Sequence, residues 1–222
     1  MGPRAAFNNK FKLYGCDPTI NKFKKFYRKD IIQIPTFFSA NNFKNKKFDL
    51  ITSISMFYDL PSPLDFANDI NGILEDNGVW HIELSYMPMM VKNLSYDTIC
   101  HEHLEYYSLK SLKYLLDKAN LKIINLSFNQ INGGSISLDI AKKKSKFKEI
   151  SYLINWVLES EKKNKYNDIS KLKEFFSKCQ NHRHLLKNLL VSLKKQNKKI
   201  YGYGASTKGN VILQYCKINS SL

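Results

Sequence analysis

Residues 48–84 read FDLITSISMFYDLPSPLDFANDINGILEDNGVWHIEL. The opening FDLITSIS is a β-branched apolar run, the pattern of a parallel strand buried on both faces. Pro61 and Pro63 follow it. A helix is expected over roughly residues 63–75, with Leu64, Ile70 and Leu74 near helical spacing. Asp76-Asn77-Gly78 then reads as a turn, and GVWHIEL (78–84) as a second strand. Strand, helix and strand in this order make a parallel unit with a crossover.

Outward from this unit the alternation continues. Toward the N-terminus, Phe11–Cys16 (FKLYGC) reads as a strand ending at Asp17 and closed by Pro18. A lysine-rich helical stretch spans 19–29, and Asp30–Ile34 is a short strand halted by Pro35. Toward the C-terminus, residues 85–107 show no regular period. Ser108 is placed as the N-cap of the helix SLKSLKYLLDKAN. LKIINLSF and SISLDIA flank Asn132-Gly133-Gly134, which reads as a hairpin turn. Beyond Ala141 the character changes to a charged connection, KKKSKFKE, and two helices at about 148–162 and 168–196. KIYGY (199–203) is expected to be a strand entering GYGASTKGN and a helix over about 206–216. The fold class is therefore α/β: a mostly parallel sheet with an antiparallel hairpin edge, then helices. Ligands of such sheets bind beyond the carboxyl ends of the strands. That singles out Asp17, the Ser53–Tyr58 stretch, Glu83–Tyr86 and the segment containing His101-Glu102-His103.

The 222 residues are 43% hydrophobic, enough for a real core and unlike a disordered chain. No apolar run has the length of a membrane span, and residues 1–10 lack a signal peptide's apolar stretch. A cytoplasmic location with no membrane partner is the expectation. Cys16, Cys100, Cys179 and Cys216 are dispersed, form no CxxC pair, and read as reduced thiols. The net charge of +16 raises a nucleic-acid reading. Against it, Arg4, Arg28 and Arg183 are the only arginines, and the lysines are spread along an asparagine-rich chain. Base-edge recognition favours the planar arginine fork. No specific nucleic-acid partner is expected; weak salt-sensitive polyanion binding is a side effect of the charge.

Several residues carry candidate chemistry. Asp17, at a strand end, can accept hydrogen bonds from both hydroxyls of a ribose, or can simply close a turn before proline. In Cys100-His101-Glu102-His103, two histidines and a carboxylate share one loop. Histidine titrates near neutrality, at about 6.5 when unperturbed, so it can take a proton at working pH, and a neighbouring carboxylate can orient it. The same residues also read as part of a metal site, with Glu102 or a residue of His182–His184 completing it, or as exposed loop histidines. All three readings stand on the residues alone. Tyr86, Tyr96, Tyr106 and Tyr107 surround this segment, and an aromatic residue there either stacks on a ligand or fills the core. Gly202–Gly209 (GYGASTKG) is a glycine-rich strand-to-helix turn in which Lys208 adds a charge; it lacks the spacing of a Walker loop.

YDTICHEHLEYYSLKSLKYLL (96–116) resembles the signature of sugar C-methyltransferases, which runs D-T-I-Y-H-E-H before an aromatic pair. GYGASTKGNVILQYC resembles the opening of that family's C-terminal domain, and FDLITSISMFYDLPSP and GVWHIELSYM match its intervening strands. The resemblance extends over nearly all the chain from Phe11. It implies a Rossmann-like, S-adenosylmethionine-dependent methyltransferase domain over 1–141, a helical connection over 142–197, and the start of a second Rossmann-like domain over 198–222. The implied reaction is methylation of a carbon of a nucleotide-linked 4-keto sugar. His103 would be the general base, helped by Glu102 and His101; Asp17, with Ser53 and Ser55, would meet the cofactor; Tyr86, Tyr96, Tyr107 and Lys208 would meet the sugar nucleotide. Cys100 stands where the family has tyrosine, leaving Tyr96, Tyr106 or Tyr107 to compensate. The resemblance also implies a zinc-binding region and a glycine-rich first loop ahead of Phe11. Residues 1–10 do not match them, so both are expected in a missing N-terminal part, zinc belonging only there and no metal to this chain. A binding protein for nucleotide sugars that has lost catalysis is the alternative reading.

Overall fold

The structure, a computed structural model, describes residues 11–44, 46–204 and 206–219. The readings made on residues 1–10 and on Ala205 lie outside them. The chain divides into two compact units at Lys47/Phe48. In the first, β1 (Leu13–Cys16) pairs in parallel with β2 (Ile31–Ile34), Leu13 opposite Ile31 and Cys16 opposite Ile34. The helical stretch between them is shorter than the sequence pattern suggests: one turn of α-helix, α1 (Ile20–Phe23), followed by a 3-10 turn over Lys24–Phe26. Ile20 is buried there, but Phe23 and Phe26 are exposed, so little apolar packing rewards a longer helix.

The second unit is built on a four-stranded sheet in the order β3-β4-β6-β5. β3 (Phe48–Ile54) and β4 (Leu74–Ser85) are parallel, joined by the crossover helix α2 (Pro63–Ile73), which starts with proline in its first turn. β4, β6 (Ser135–Lys142) and β5 (Leu121–Asn129) are antiparallel, so the hairpin edge expected from the sequence is present. The apolar face of β4 carries Trp80, Ile82 and Leu84, all essentially buried, and β6 adds Ile136, Leu138 and Ile140. Ala67 and Ile70 of α2 and Leu109, Leu112 and Leu116 of α4 (Leu109–Lys118) complete this core. The opposite strand face is polar, as the two-residue period of a strand allows: His81 Nδ1 lies 2.7 Å from Asp139 Oδ1, and Ser137 Oγ donates to Glu83 Oε2 at 3.0 Å.

Three further elements differ from the sequence reading. The turn expected at Asp76–Gly78 is an irregularity inside β4: Phe48 pairs with Leu74, Leu50 pairs with Val79, and the exposed Glu75, Asp76 and Asn77 fall between. Residues 87–93 are helical (α3, Met87–Asn93), with proline in the first turn where a missing N–H costs nothing. KIYGY is not a strand: residues 199–203 pair with none of the described strands, and Tyr201 and Tyr203 are exposed. Two helices, α5 (Ser151–Lys163) and α6 (Ile169–Lys195), match their expected spans, as does α7 (Thr207–Tyr215), capped by the Ser206 hydroxyl accepting from Gly209 N. No helix of the described residues is long and apolar enough to cross a membrane.

Gly78 makes the β4 irregularity possible. A Cβ there would lie 2.7 Å from the Phe48 carbonyl oxygen and 3.0 Å from Glu75 N, both backbone atoms with little room to yield. Gly78→Ala is expected to cost about 1–3 kcal/mol by overpacking, read as a lowered urea midpoint with an unchanged slope.

Candidate functional site

The carboxyl ends of β3 and β4 lead into the two segments that build the site. After β3 comes a 3-10 turn, Phe57–Asp59; after β4 comes the excursion 86–107, which holds α3, the 3-10 turn Tyr96–Thr98 and the histidine loop. The excursion closes on itself. Tyr86 and Tyr107 form a parallel bridge, and Met87 N donates to Tyr107 O at 2.9 Å.

One buried carboxylate locks that closure. Glu161 of α5 is 2% exposed. It accepts from the Tyr86 hydroxyl at 2.5 Å, from Leu109 N at 2.6 Å, from Lys110 N at 3.2 Å and from Asn167 Nδ2 at 3.4 Å. An anion against the first N–H groups of a helix satisfies donors that have no partner within it and is favoured by the helix dipole. Burial, with Glu161 beside it, pushes the Tyr86 phenol far up, so it remains a donor. Ser108 is the N-cap foreseen from the sequence, and it forms a capping box with Ser111.

The histidine loop is tied to the loop after β3: Leu104 N and Glu105 N both donate to Tyr58 O, at 2.9 and 3.1 Å. The Tyr58 and His103 rings are 4.3 Å apart, tilted by 51°. Together these loops border a cavity of about 130 Å³ lined by Tyr58, Ser85, Cys100, Glu102, His103 and Lys208, with Asp97, Thr98, Asn132 and Thr207 filling the remaining wall. Burial pushes the Tyr58 phenol up, so it too stays protonated and able to donate. The Ser85 hydroxyl, buried, lies near the Tyr58 phenol and makes no hydrogen bond of good geometry among the described residues. Burial also raises the Asp59 carboxyl, while the charge of His103 pulls it down and Glu102 pushes it up. An imidazole and two carboxylates are thus electrostatic neighbours here, and His103 and Glu102 also line the cavity. On the far side, Lys208 Nζ donates to Asn132 Oδ1 at 3.2 Å, and no carboxylate of the described residues pairs with it.

The residues singled out by sequence divide clearly. His103, Glu102 and Lys208 converge on the cavity, together with Cys100. His101 is exposed on the loop beside them and is not part of the lining. Tyr86, Tyr96 and Tyr107 are buried behind the wall: Tyr86 is turned to Glu161, the Tyr96 hydroxyl to His182 Nδ1 at 2.8 Å, and the Tyr107 hydroxyl has no partner among the described residues. Of the tyrosines expected to compensate for Cys100, Tyr106 has its ring 6.5 Å from that of His103. The phenol lying over His103 is Tyr58, foreseen only as the end of the Ser53–Tyr58 stretch, because nothing in FYDLP reveals which strand-end loop the histidines meet. Ser55, in the left-handed region at the end of β3, donates its N–H to Glu83 O at 2.8 Å. Ser53 is buried and its hydroxyl accepts from Trp80 Nε1 at 3.0 Å. In the first unit, Asp17 Oδ1 accepts from Thr19 N and Oγ1 at 2.6 and 2.5 Å, and no described residue bonds Oδ2. No three His, Cys, Asp or Glu side chains of the described residues gather as a metal site requires.

Comparison with known proteins returns two family models that together span most of the chain. One, described as a methyltransferase domain, matches residues 5–126; the other, described as a C-methyltransferase C-terminal domain, matches 130–222. C-methyltransferase NovU of Streptomyces niveus is 27% identical over 167 residues, which are 75% of this chain and 40% of NovU. The chain therefore spans well under half the length of that relative. Among solved structures, a putative methyltransferase from Bacillus halodurans is 10% identical, with a TM-score of 0.45 over 60% of this chain and 83% of that one. LepI in complex with SAM is 13% identical, with a TM-score of 0.48 over 61% and 37%.

Glu161→Ala leaves the Tyr86 hydroxyl and the Leu109 N–H buried without an acceptor. The expected loss is about 2–4 kcal/mol from two unsatisfied donors, measured by thermal or urea unfolding. Glu161→Gln keeps an acceptor oxygen and is expected to lose less.

Proposed function

The chain belongs to the S-adenosylmethionine-dependent C-methyltransferases, and from that premise we propose that it methylates a carbon next to the ketone of a nucleotide-linked 4-keto sugar, with His103 as the base. The observation that carries this reading is the convergence of His103, Glu102 and Lys208 on one cavity at the carboxyl ends of β3 and β4.

When bound, S-adenosylmethionine supplies an electrophilic methyl group. Residues that fit it are present. Asp17 is exposed at the end of a parallel strand with Oδ2 open, which suits the two hydroxyls of a ribose. Ser55 directly follows β3, the strand whose carboxyl end borders the cavity; Ser53, within β3, has its hydroxyl bonded to Trp80.

The proton steps belong to this chain's own side chains. The His103 imidazole takes the proton from the carbon beside the ketone; the C–H pair moves into a carbon–carbon double bond and the carbonyl pair onto oxygen, leaving an enolate. Tyr58 packs against His103 and limits where its ring can turn. The charge of His103 draws the Asp59 carboxyl down, and Glu102 lines the cavity beside the imidazole. His101, on the exposed side of the loop, orients the sugar at the cavity mouth. Lys208, unpaired with any described carboxylate, faces the anionic diphosphate that joins sugar to nucleoside, at the first turn of α7 where the helix dipole adds to its charge. Thr207 and Lys208, in the segment read as the start of a second domain, line this side of the pocket.

His103→Ala is expected to lower kcat about 10²- to 10⁴-fold, the usual range for a general base, with S-adenosylmethionine affinity unchanged by calorimetry. Wild-type turnover by the variant sinks the assignment. Lys208→Ala is expected to raise KM for the sugar nucleotide about tenfold or more with a smaller effect on kcat, as loss of uniform binding does; an unchanged KM removes Lys208 from the substrate site.

A further inference from the structure

Apart from the sheet core there is a second apolar cluster, in which Tyr96 packs with Phe175 and Cys179 of α6 and with Ile212 and Tyr215 of α7. Tyr96 is 5% exposed and its hydroxyl reaches two partners: His182 Nδ1 at 2.8 Å and Cys216 Sγ at 3.5 Å. His182 lies midway along α6, and Cys216 is the fully buried residue that closes α7. The Tyr96 ring meets that of His182 edge-on at 5.6 Å and that of Tyr215 at 5.2 Å.

The position of this hydroxyl in the chain gives it leverage. Immediately after Tyr96 come Asp97, Thr98, Cys100, Glu102 and His103, one wall of the cavity. α7, closed at its C-terminal end by Cys216, presents Thr207 and Lys208 at its N-terminal end to the opposite wall. A buried hydroxyl holds its place through its hydrogen bonds, because leaving it without one is unfavourable. We propose that His182, acting through the Tyr96 hydroxyl, is a positioning residue that fixes the histidine loop and the Lys208 end of α7 relative to each other. The Lys208–Asn132 hydrogen bond then ties the same end of α7 to the β5–β6 turn. His182 touches neither the cavity nor His103; it sets the distance between the group that removes the proton and the group that holds the substrate's charge.

This inference stands on the geometry of Tyr96, and only its activity readout rests on the reading of His103 as base. Amide hydrogen exchange is measured by mass spectrometry on the whole chain, comparing wild type with Tyr96→Phe, His182→Leu and His182→Asn. Asparagine keeps a hydrogen-bonding atom near the position of Nδ1. Peptides covering 97–104 and 207–215 are expected to lose protection together, about tenfold or more, in Tyr96→Phe and His182→Leu. Protection across the β5–β6 hairpin stays unchanged, and His182→Asn restores both segments. Unchanged protection in either segment, or equal loss across the hairpin, overturns the proposal. In turnover assays with S-adenosylmethionine and a nucleoside-diphosphate-linked 4-keto-6-deoxyhexose, His182→Leu is expected to lower kcat by about 10- to 100-fold, the scale of an ångström of misplacement. Its S-adenosylmethionine Kd stays at the wild-type value, and asparagine rescues kcat. Wild-type turnover in His182→Leu defeats the positioning role while leaving the catalytic reading intact. A wild type that never turns over, with the exchange pattern as expected, defeats the catalytic reading while leaving the positioning role intact.

Discussion

A single buried carboxylate governs how this site is built. Glu161 accepts hydrogen bonds from the end of β4 through Tyr86 and from the first turn of α4 through Leu109 and Lys110. Those are the two points between which the chain leaves the sheet and returns. An excursion of about twenty residues has many conformations available, and tying its ends together removes most of that freedom. Burying a charge is costly unless hydrogen bonds replace water. Here the helix N-terminus and a phenol replace it. The lock therefore works only when α4, α5 and β4 are all in place, which couples the shape of the histidine loop to the integrity of the sheet.

Within that frame, the cavity is assembled from segments far apart in sequence: the loop after β3, the histidine loop, the β5–β6 turn and the first turn of α7. Backbone hydrogen bonds to Tyr58 O join the first two, Lys208 and Asn132 join the last two, and the cluster around Tyr96 spans between the pairs. The first two ties each join a pair of segments by hydrogen bonds, whereas the cluster around Tyr96 acts on both walls at once. The close approach of α3 to the hairpin turn belongs to the same design. Gly134 has φ of 125°, and a Cβ there would meet Met89 at 2.5 Å.

Much of this was readable from residues alone. The parallel unit over 48–84 and the hairpin around Asn132-Gly133-Gly134 follow from hydrophobic period and turn chemistry, and Ser108 announces its helix because cap residues act locally. The histidine loop was legible as chemistry for the same reason: His101, Glu102 and His103 are adjacent in sequence. What escaped depends on distant partners. Glu161 sits in a lysine-rich helix and looks like one more surface charge until Tyr86 and Leu109 are brought to it. Tyr58, Ser85 and Asp59 gain meaning only when β3 and β4 are side by side. α3 hid behind Pro88 and three methionines, whose pattern has no clear helical period. KIYGY carries strand-forming residues, yet a strand needs a neighbour to bond with, and none of the described strands lies beside it. Tyr86, Tyr96 and Tyr107, offered to substrate by their place in the sequence, are buried and back the histidine loop.

The central claim is that His103 can remove a proton from the carbon beside a ketone held in this cavity. The most direct measurement follows deuterium entering that carbon by NMR, with the chain and a nucleoside-diphosphate-linked 4-keto-6-deoxyhexose in heavy water and no S-adenosylmethionine added. With His103 as the base, exchange runs well above the buffer rate and saturates with the sugar nucleotide. Exchange at the buffer rate while the sugar nucleotide is demonstrably bound would contradict that claim.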